Sequence, residues 1–307
     1  MACSEPQRMG RYDHREYVSL TMEFRCNLKC THCMIEGTMD RLAPQSEEQL
    51  YALLVQNRMH RKWKGLILTG SEITLHRNLS QWVCDARDSG FERVRIQTHG
   101  MRLGNEDYCN ELLAAGVNEF FISVAAADAA THDMITGVPG SFDKTLRGLE
   151  LLEAADVQTI TNTVVTELSY RQLPALVERL AHLKRLEQME FWFYFPMSER
   201  DEKNLIASHL DALPLLRTAI DSARALGRGV EVKNFPECLL GEQRGALYND
   251  QPELYIDDAF WTEFARNGFF QCAYRERCGS QQCLGLNTAY VRKYGWHEDV
   301  LRPLMGE

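Results

Sequence analysis

Along the first two-thirds of the chain, short apolar runs alternate with longer stretches of helical periodicity, and no other feature narrows the fold as far. The runs are Val18–Phe24, Leu66–Thr69, Val94–Thr98, Phe120–Ala125, Thr159–Thr166 and Met189–Phe195. Most are apolar on successive positions, as parallel strands covered on both faces are. Between them lie helical stretches at Ser46–Arg61, Leu79–Ser89, Glu106–Ala115, Phe142–Ala155 and Gln172–Arg185. Ser46 is placed to cap the first, and Gly90 follows the second at a C-cap position. Alternation with short connections specifies right-handed βαβ units, and therefore an α/β fold with a parallel sheet, either open or curled into a barrel. After Pro196 the pattern changes to a polar stretch (198–204), a helix over Leu205–Leu226 and a strand at Val230–Phe235. An irregular stretch from Pro236 to about Tyr274 follows, and a last short helix covers Thr288–Tyr294 before Gly295. The expected division is an N-terminal extension (1–14), a main body (15–228) and a small C-terminal unit (229–307). No low-complexity linker separates the last two, so they should pack together.

A chain of 307 residues is long enough for two domains, or one large α/β domain with an appendage. Its 45% apolar and 25% charged content is ordinary globular usage, and no segment approaches the roughly 18 apolar residues of a membrane helix. Thirty-four basic against 43 acidic residues leave a charge of −9, a mean field that repels polyanions. Neither nucleic acid nor membrane is expected as a partner. The basic group Arg58, His60, Arg61, Lys62 and Lys64 falls where a helix's last turn favours cations in any case. The N-terminus is polar and resembles neither a secretory signal nor a transit peptide, which points to the cytoplasm. There, ten cysteines are more plausibly metal ligands or reactive thiols than disulfides.

Cys26, Cys30 and Cys33 form a CxxxCxxC string directly after the first strand. Three thiolates in so short a loop can converge on one metal centre. Zinc would require a fourth ligand, for which His32 is nearby, whereas a 4Fe-4S cluster held by three cysteines leaves one iron free for a small molecule. This string in this position resembles the radical S-adenosylmethionine (SAM) enzymes, and further residues follow in that family's order. Thr69, Gly70, Ser71 and Glu72 end the second strand where the family has Gly-Gly-Glu, which binds the SAM amino group; Ser71 replaces a glycine and Ile73 a proline. Gln97–Gly100 resembles the family's Thr-Asn-Gly, with His99 in place of asparagine. Phe120–Val124, followed by T-H-D-M-I-T-G, resembles the strand whose serine, here Ser123, touches the SAM ribose, and Asn162 matches a polar position on the fifth strand. The resemblance implies a partial (β/α)6 radical SAM barrel.

Cys238, Cys272, Cys278 and Cys283 form a second group in a core-poor stretch, where a metal centre would supply folding energy. Zinc with four thiolates fits their number, as does an iron-sulfur cluster. The resemblance implies an auxiliary 4Fe-4S cluster in a twitch-like unit, the shorter relative of the SPASM extension. Cys238 stands 34 positions before Cys272, and a cluster with three protein ligands and an open iron is the alternative. Cys3, Cys84 and Cys109 lie outside both groups; the latter two fall in helical stretches, as small buried hydrophobes do. In the aromatic run Phe191–Phe195, alternation puts Trp192 and Tyr194 on one face, so with His99 they are candidates for the substrate cavity.

What the resemblance implies is an oxidoreductase-type enzyme that takes one electron from a flavodoxin- or ferredoxin-type reductant. It would cleave SAM to methionine and a 5′-deoxyadenosyl radical, and abstract hydrogen from substrate. The auxiliary cluster would accept an electron or ligate substrate. With only 25 residues before Cys26, a leader-recognition domain is not expected, which favours a small molecule such as a sugar, nucleoside or amino-acid precursor of a specialised metabolite. A peptide maturase, a sulfur-inserting enzyme and a non-catalytic metal-binding regulator are the alternatives.

Overall fold

A computed structural model describes residues 8–35 and 41–305, so Cys3 and the first half of the N-terminal extension lie outside the described residues. The six strands form as β1 (Tyr17–Glu23), β2 (Gly65–Gly70), β3 (Arg93–Thr98), β4 (Glu119–Ser123), β5 (Gln158–Val165) and β6 (Leu186–Phe193). Two more, β7 (Gly229–Lys233) and β8 (Glu253–Tyr255), complete a sheet in the order β7-β6-β5-β4-β3-β2-β1-β8. Every pairing is parallel. The strand expected to open the C-terminal unit is therefore the neighbour of β6, and the irregular stretch after Pro236 supplies the opposite edge.

The helices are α1 (Glu47–His60), α2 (Leu79–Asp88), α3 (Glu106–Ala115), α4 (Ala129–Thr136), α5 (Ser141–Ala154), α6 (Leu173–Arg179), α7 (His209–Ala225), α8 (Glu237–Leu240), α9 (Asp258–Ala265) and α10 (Thr288–Tyr294). Ser46 and Gln49 cap α1 reciprocally, and its buried Leu50, Leu53, Leu54 and Asn57 repeat at helical spacing. Helix α6 stops six residues before its expected end. Beyond it the Leu180 and Leu183 carbonyls accept from the buried Arg228 guanidinium at 2.7 and 2.9 Å, a partner that local periodicity cannot reveal. Helix α9 buries no residue and β8 is only E-L-Y, which is why neither stood out from an irregular composition.

The sheet curls. In a flat sheet β1 and β4 would lie about 14 Å apart, three strand spacings. Here the Tyr17 hydroxyl donates to the Glu119 carboxylate at 3.0 Å. Two cores result. The larger lies mainly between sheet and helices and includes Trp82, Phe91, Phe120 and Phe191; a smaller one of Tyr12, Tyr17, Ile67, Phe121 and Ile160 joins side chains from β1, β2, β4 and β5. This α/β architecture is the expected incompletely closed barrel, and the strands' C-terminal ends carry the cysteine loop and the polar row described next.

Candidate active site

The loop bearing Cys26, Cys30 and Cys33, all half-buried and none in a disulfide, leaves β1 and is fastened to α4. The Lys29 amide donates to the Thr136 carbonyl and the Thr31 amide to the Ile135 carbonyl, both at 2.8 Å. These are last-turn carbonyls with no donor inside the helix. Gly137 ends α4 in the left-handed region (φ 69°), and a Cβ there would stand 2.8 Å from the Lys29 carbonyl oxygen, so glycine permits the approach. Asp133 accepts from the Gly140 and Phe142 amides at 2.6 and 2.9 Å and from the Ser141 hydroxyl at 2.8 Å, folding the chain back into α5. The T-H-D-M-I-T-G string thus builds a seat for the cysteine loop. Burial, with His132 and Lys203 adding to it, lowers the His32 pKa to about 4, so this imidazole is neutral.

Across from this loop, the ends of β1 and β2 touch. A Cβ on Gly70 would lie 1.9 Å from the Glu23 carbonyl oxygen, to which the Ser71 amide donates at 2.8 Å. Glu72 is fully buried and its carboxylate is occupied from within the chain. Oε1 accepts from Thr98 Oγ1 (2.7 Å), the Thr74 amide (3.0 Å) and the Thr74 hydroxyl; Oε2 accepts from the His99 amide (3.0 Å) and lies 2.9 Å from His99 Nε2. Burial works to raise the Glu72 pKa, but His99 and the two threonines outweigh it and hold it below the usual range. His99 itself sits beside the cysteine loop, with Nε2 2.7 Å from Asn27 Oδ1.

Thr69 donates to Gln97 Oε1 at 2.7 Å. Ser123 and Asn162 are register partners on β4 and β5, and the row continues through Glu190 on β6 to Glu231 on β7. Ser123 is exposed, whereas Asn162 is buried with Oδ1 unpartnered; buried Ser71 Oγ likewise has no partner among the described residues. Trp192 packs against the interior core and donates from Nε1 to Glu190 Oε2 at 2.8 Å. Tyr194, one position past the end of β6, packs against the larger core instead, so the two aromatic candidates part company.

One interior group escaped the sequence: His14, Glu190 and Glu231, all buried, bring ligand atoms within 4.8 Å of one another. Their charges are already compensated. Glu231 meets His14 Nε2 at 2.8 Å, Arg8 at 3.1 Å and Lys233 at 3.8 Å, while Glu190 accepts from Gln188 and Trp192, each at 2.8 Å. A divalent ion would add two positive charges to a balanced set, so the group reads as an ion network that pins the N-terminal segment to β6 and β7.

At the far end of the sequence, Cys238, Cys272, Cys278 and Cys283 line one small concavity with Tyr274, Leu286 and Arg302. All four are free thiols. Backbone amides point at sulfur, Gly285 at Cys283 (3.3 Å) and Leu304 at Cys278 (3.4 Å). Burial first, then Cys272 and Cys278, raise the Cys238 pKa; burial and then Cys238 among its neighbours raise that of Cys283. Four thiols gathered this closely make a site whose donors, once ionised, are compensated when a cation binds. Cys109 is buried and Cys84 half-buried, away from both groups.

Residues 22–180, just over half of the chain, match the sequence profile of the Radical SAM superfamily. The chain belongs to the radical SAM superfamily. It is 29% identical over 182 residues to an AdoMet-dependent heme synthase of Methanosarcina barkeri, covering 59% of this chain and 51% of that one. It is also 29% identical over 180 residues to a probable GTP 3′,8-cyclase of Methanopyrus kandleri, covering 58% and 56% respectively. The chain thus spans about half the length of these relatives. Among solved structures, anSMEcpe with bound AdoMet superposes with a TM-score of 0.57 at 17% identity over 70% of this chain and 63% of that one. Streptococcus suis SuiB gives 0.55 at 15% identity over 70% and 48%. Membership implies SAM and a 4Fe-4S cluster, and the residues of this radical SAM protein fit both. Three loop thiols suit the cluster, while unpartnered Ser71 Oγ and Asn162 Oδ1 and the close approach at Gly70 suit a polar ligand beside it.

Proposed function

We propose that this enzyme reductively cleaves SAM and directs the resulting radical at a small molecule held over the barrel interior. An electron from the substrate radical would pass to an auxiliary 4Fe-4S cluster on Cys238, Cys272, Cys278 and Cys283. The observation that carries this reading is the gathering of these four thiols around one concavity, despite the 34 positions between Cys238 and Cys272. When bound, SAM and the first cluster supply the radical chemistry. The chain's own residues position and exclude. Gly70 and Ser71 offer backbone at the cluster loop, Ser123 and Asn162 offer polar atoms from adjacent strands, and Trp192, tied to Glu190, forms the floor.

Small-molecule substrates are supported by the filling of the interior: Tyr12, Tyr17, Ile67, Phe121 and Ile160 occupy its lower part, which confines substrate to the strands' C-terminal ends, the usual place of chemistry in barrels of this kind. The names of the two relatives, a heme synthase and a GTP cyclase, accord with this. The reading is of a cytoplasmic oxidoreductase-type enzyme served by a flavodoxin- or ferredoxin-type reductant, without nucleic-acid or membrane partners; none of the described helices is long and apolar enough to cross a membrane. The test is a screen of sugars, nucleosides and amino acids for substrate-dependent 5′-deoxyadenosine under anaerobic reduction. One equivalent per product, two electrons more oxidised than substrate, supports the proposal. A product that has gained sulfur, turnover only with peptides, or no SAM cleavage at all would overturn it.

A further inference from the structure

Helix α9 is rich in aromatic side chains, yet none of its residues is buried. Phe264 follows Phe260 by four positions and Trp261 by three, so the three rings share one helix face. Their centroids stand 5.3, 6.0 and 5.9 Å apart, and Phe269 extends the row 6.0 Å beyond Phe264. Trp261 is 43% exposed and the other three are half-buried. A contiguous exposed apolar row of this kind marks a binding surface rather than a core.

The contacts at its two ends place the row. Before the helix, Asp257 Oδ2 accepts from the Ala43 amide at 2.7 Å, and along one side Arg41 reaches Glu263 at 3.5 Å. Both partners belong to the segment entering α1, whose Gln45 amide donates to the Thr21 carbonyl of β1 at 2.8 Å. At the other end, Phe264 and Phe269 meet the buried Phe195, two positions past the end of β6, at 5.6 and 4.8 Å. The row therefore crosses the strands' C-terminal ends from the side of β1 and β8 to β6, where the curled sheet is not closed by strand pairing. Buried Asn267 fixes the turn that follows, its carbonyl accepting from the Thr288 amide at 3.0 Å. Cys272 comes three positions after Phe269, and the Phe270 amide donates to the Leu284 carbonyl, next to Cys283, at 2.7 Å. The rings thus lead from the mouth of the barrel to the second group of thiols.

A substrate radical that hands an electron to an auxiliary cluster has to be held between the two centres, and ring faces are what the chain offers there. Such faces favour other planar rings, which stack on them, over sugars and aliphatic chains. We propose that Phe260 and Trp261, backed by Phe264, form the substrate-binding wall of the site and take a planar aromatic ring, that of a nucleobase or of an aromatic amino acid. This rests on the proposed function and narrows its substrates to those that carry such a ring.

The experiment is calorimetric titration of reconstituted, unreduced full-length protein saturated with S-adenosylhomocysteine, using guanosine, adenosine and tryptophan as ring probes and glucose and leucine as comparisons. At least one ring probe should bind and neither comparison should; whether a nucleoside or tryptophan binds assigns the source of the ring. Trp261→Ala and Phe260→Ala should each weaken that binding about tenfold, as loss of a stacking face does. Trp261→Leu, which keeps apolar bulk without a ring, should match the alanine variant, and Trp261→Phe should recover most of the affinity. Met59→Ala, at an exposed position near the end of α1, should change nothing. Failure of all three ring probes to bind, equal binding of leucine, or wild-type affinity in both alanine variants would overturn the inference. Variants that lose S-adenosylhomocysteine instead would give the row to the cofactor and overturn it too. Because titration needs no turnover, the two readings fail separately. Ring binding without any SAM cleavage would sink the proposed function alone, and SAM cleavage driven only by a ringless substrate would sink this inference alone.

Discussion

The two cysteine regions reach similar ends by different means. The first is short in sequence and sits on structure that exists without it. Cys26–Cys33 hangs from β1, is bonded through its amides to the end of α4, and is bordered by the fully buried Glu72. The second is assembled from separate stretches, Cys238 beside α8 and the other three across a turn-rich segment, next to a helix, α9, that buries nothing. A loop seated on a packed barrel needs its metal for chemistry. On the proposed reading, the second region, joined from distant stretches, would also use its metal to hold those stretches together.

The largest expected effect follows from that difference. Changing Cys272, Cys278 and Cys283 together to Ala should remove about four of roughly eight irons, as one four-iron cluster of two. It should also make the chain beyond Pro236 the first target of limited proteolysis, since structural metals contribute on the order of 10 kcal/mol to small sites. Equal protease resistance in the variant would mean that this region folds without metal, and the contrast would collapse.

The seam between the regions gives the next effect, at Glu231 on β7. Burial opposes its charge, but His14, Lys233 and Arg8 outweigh burial and lower its pKa, whereas burial and then Glu231 itself raise that of Glu190. The stability that Glu231 contributes is therefore present above the ordinary glutamate range and lost as pH falls through its lowered folded-state pKa. For Glu190 the sign reverses: its contribution is present below that range and lost as pH rises through the raised value. Glu231→Gln should cost roughly 3–5 kcal/mol near neutral pH, because it leaves buried cations uncompensated. Glu190→Gln should cost far less and narrow its deficit as pH rises. Chemical denaturation at pH 6 and pH 8 reads both, and equal losses from the two would show that the carboxylates are not differentiated.

A smaller effect isolates the seat of the first loop. Gly137→Val meets the Lys29 carbonyl, so it should cost about 1–3 kcal/mol through overpacking and depress first-site iron and SAM cleavage together, with C-terminal iron unchanged. Gly140→Ala is the control: it shares a positive φ, but a Cβ there meets nothing within 4 Å. If both variants lose SAM cleavage equally, backbone strain and not the close approach is responsible.

What the sequence reveals follows the range of the forces involved. The apolar runs locate all six barrel strands to within about three residues, because burial on both faces leaves a local signature. The end of α6 was hidden, since Arg228 captures its trailing carbonyls from far along the chain. Glu190 and Glu231 each look like an ordinary polar residue in a strand, and only the β6–β7 register makes them neighbours. T-H-D-M-I-T-G is legible as a string, but its task of seating Lys29 and Thr31 depends on contacts with a loop about a hundred residues away. The partners of the His99 ring, Glu72 and Asn27, are equally invisible in the sequence, because they lie at the tips of neighbouring elements.

The central claim is that two independently ligated centres occupy one chain and that only the first cleaves SAM. The direct measurement is iron content and 5′-deoxyadenosine formation, under dithionite, by the variant with Cys26, Cys30 and Cys33 all changed to Ala. The account predicts about four irons retained, those of one four-iron cluster on the C-terminal thiols, and no 5′-deoxyadenosine. A variant that still produces 5′-deoxyadenosine, or one that loses all its iron, would contradict it.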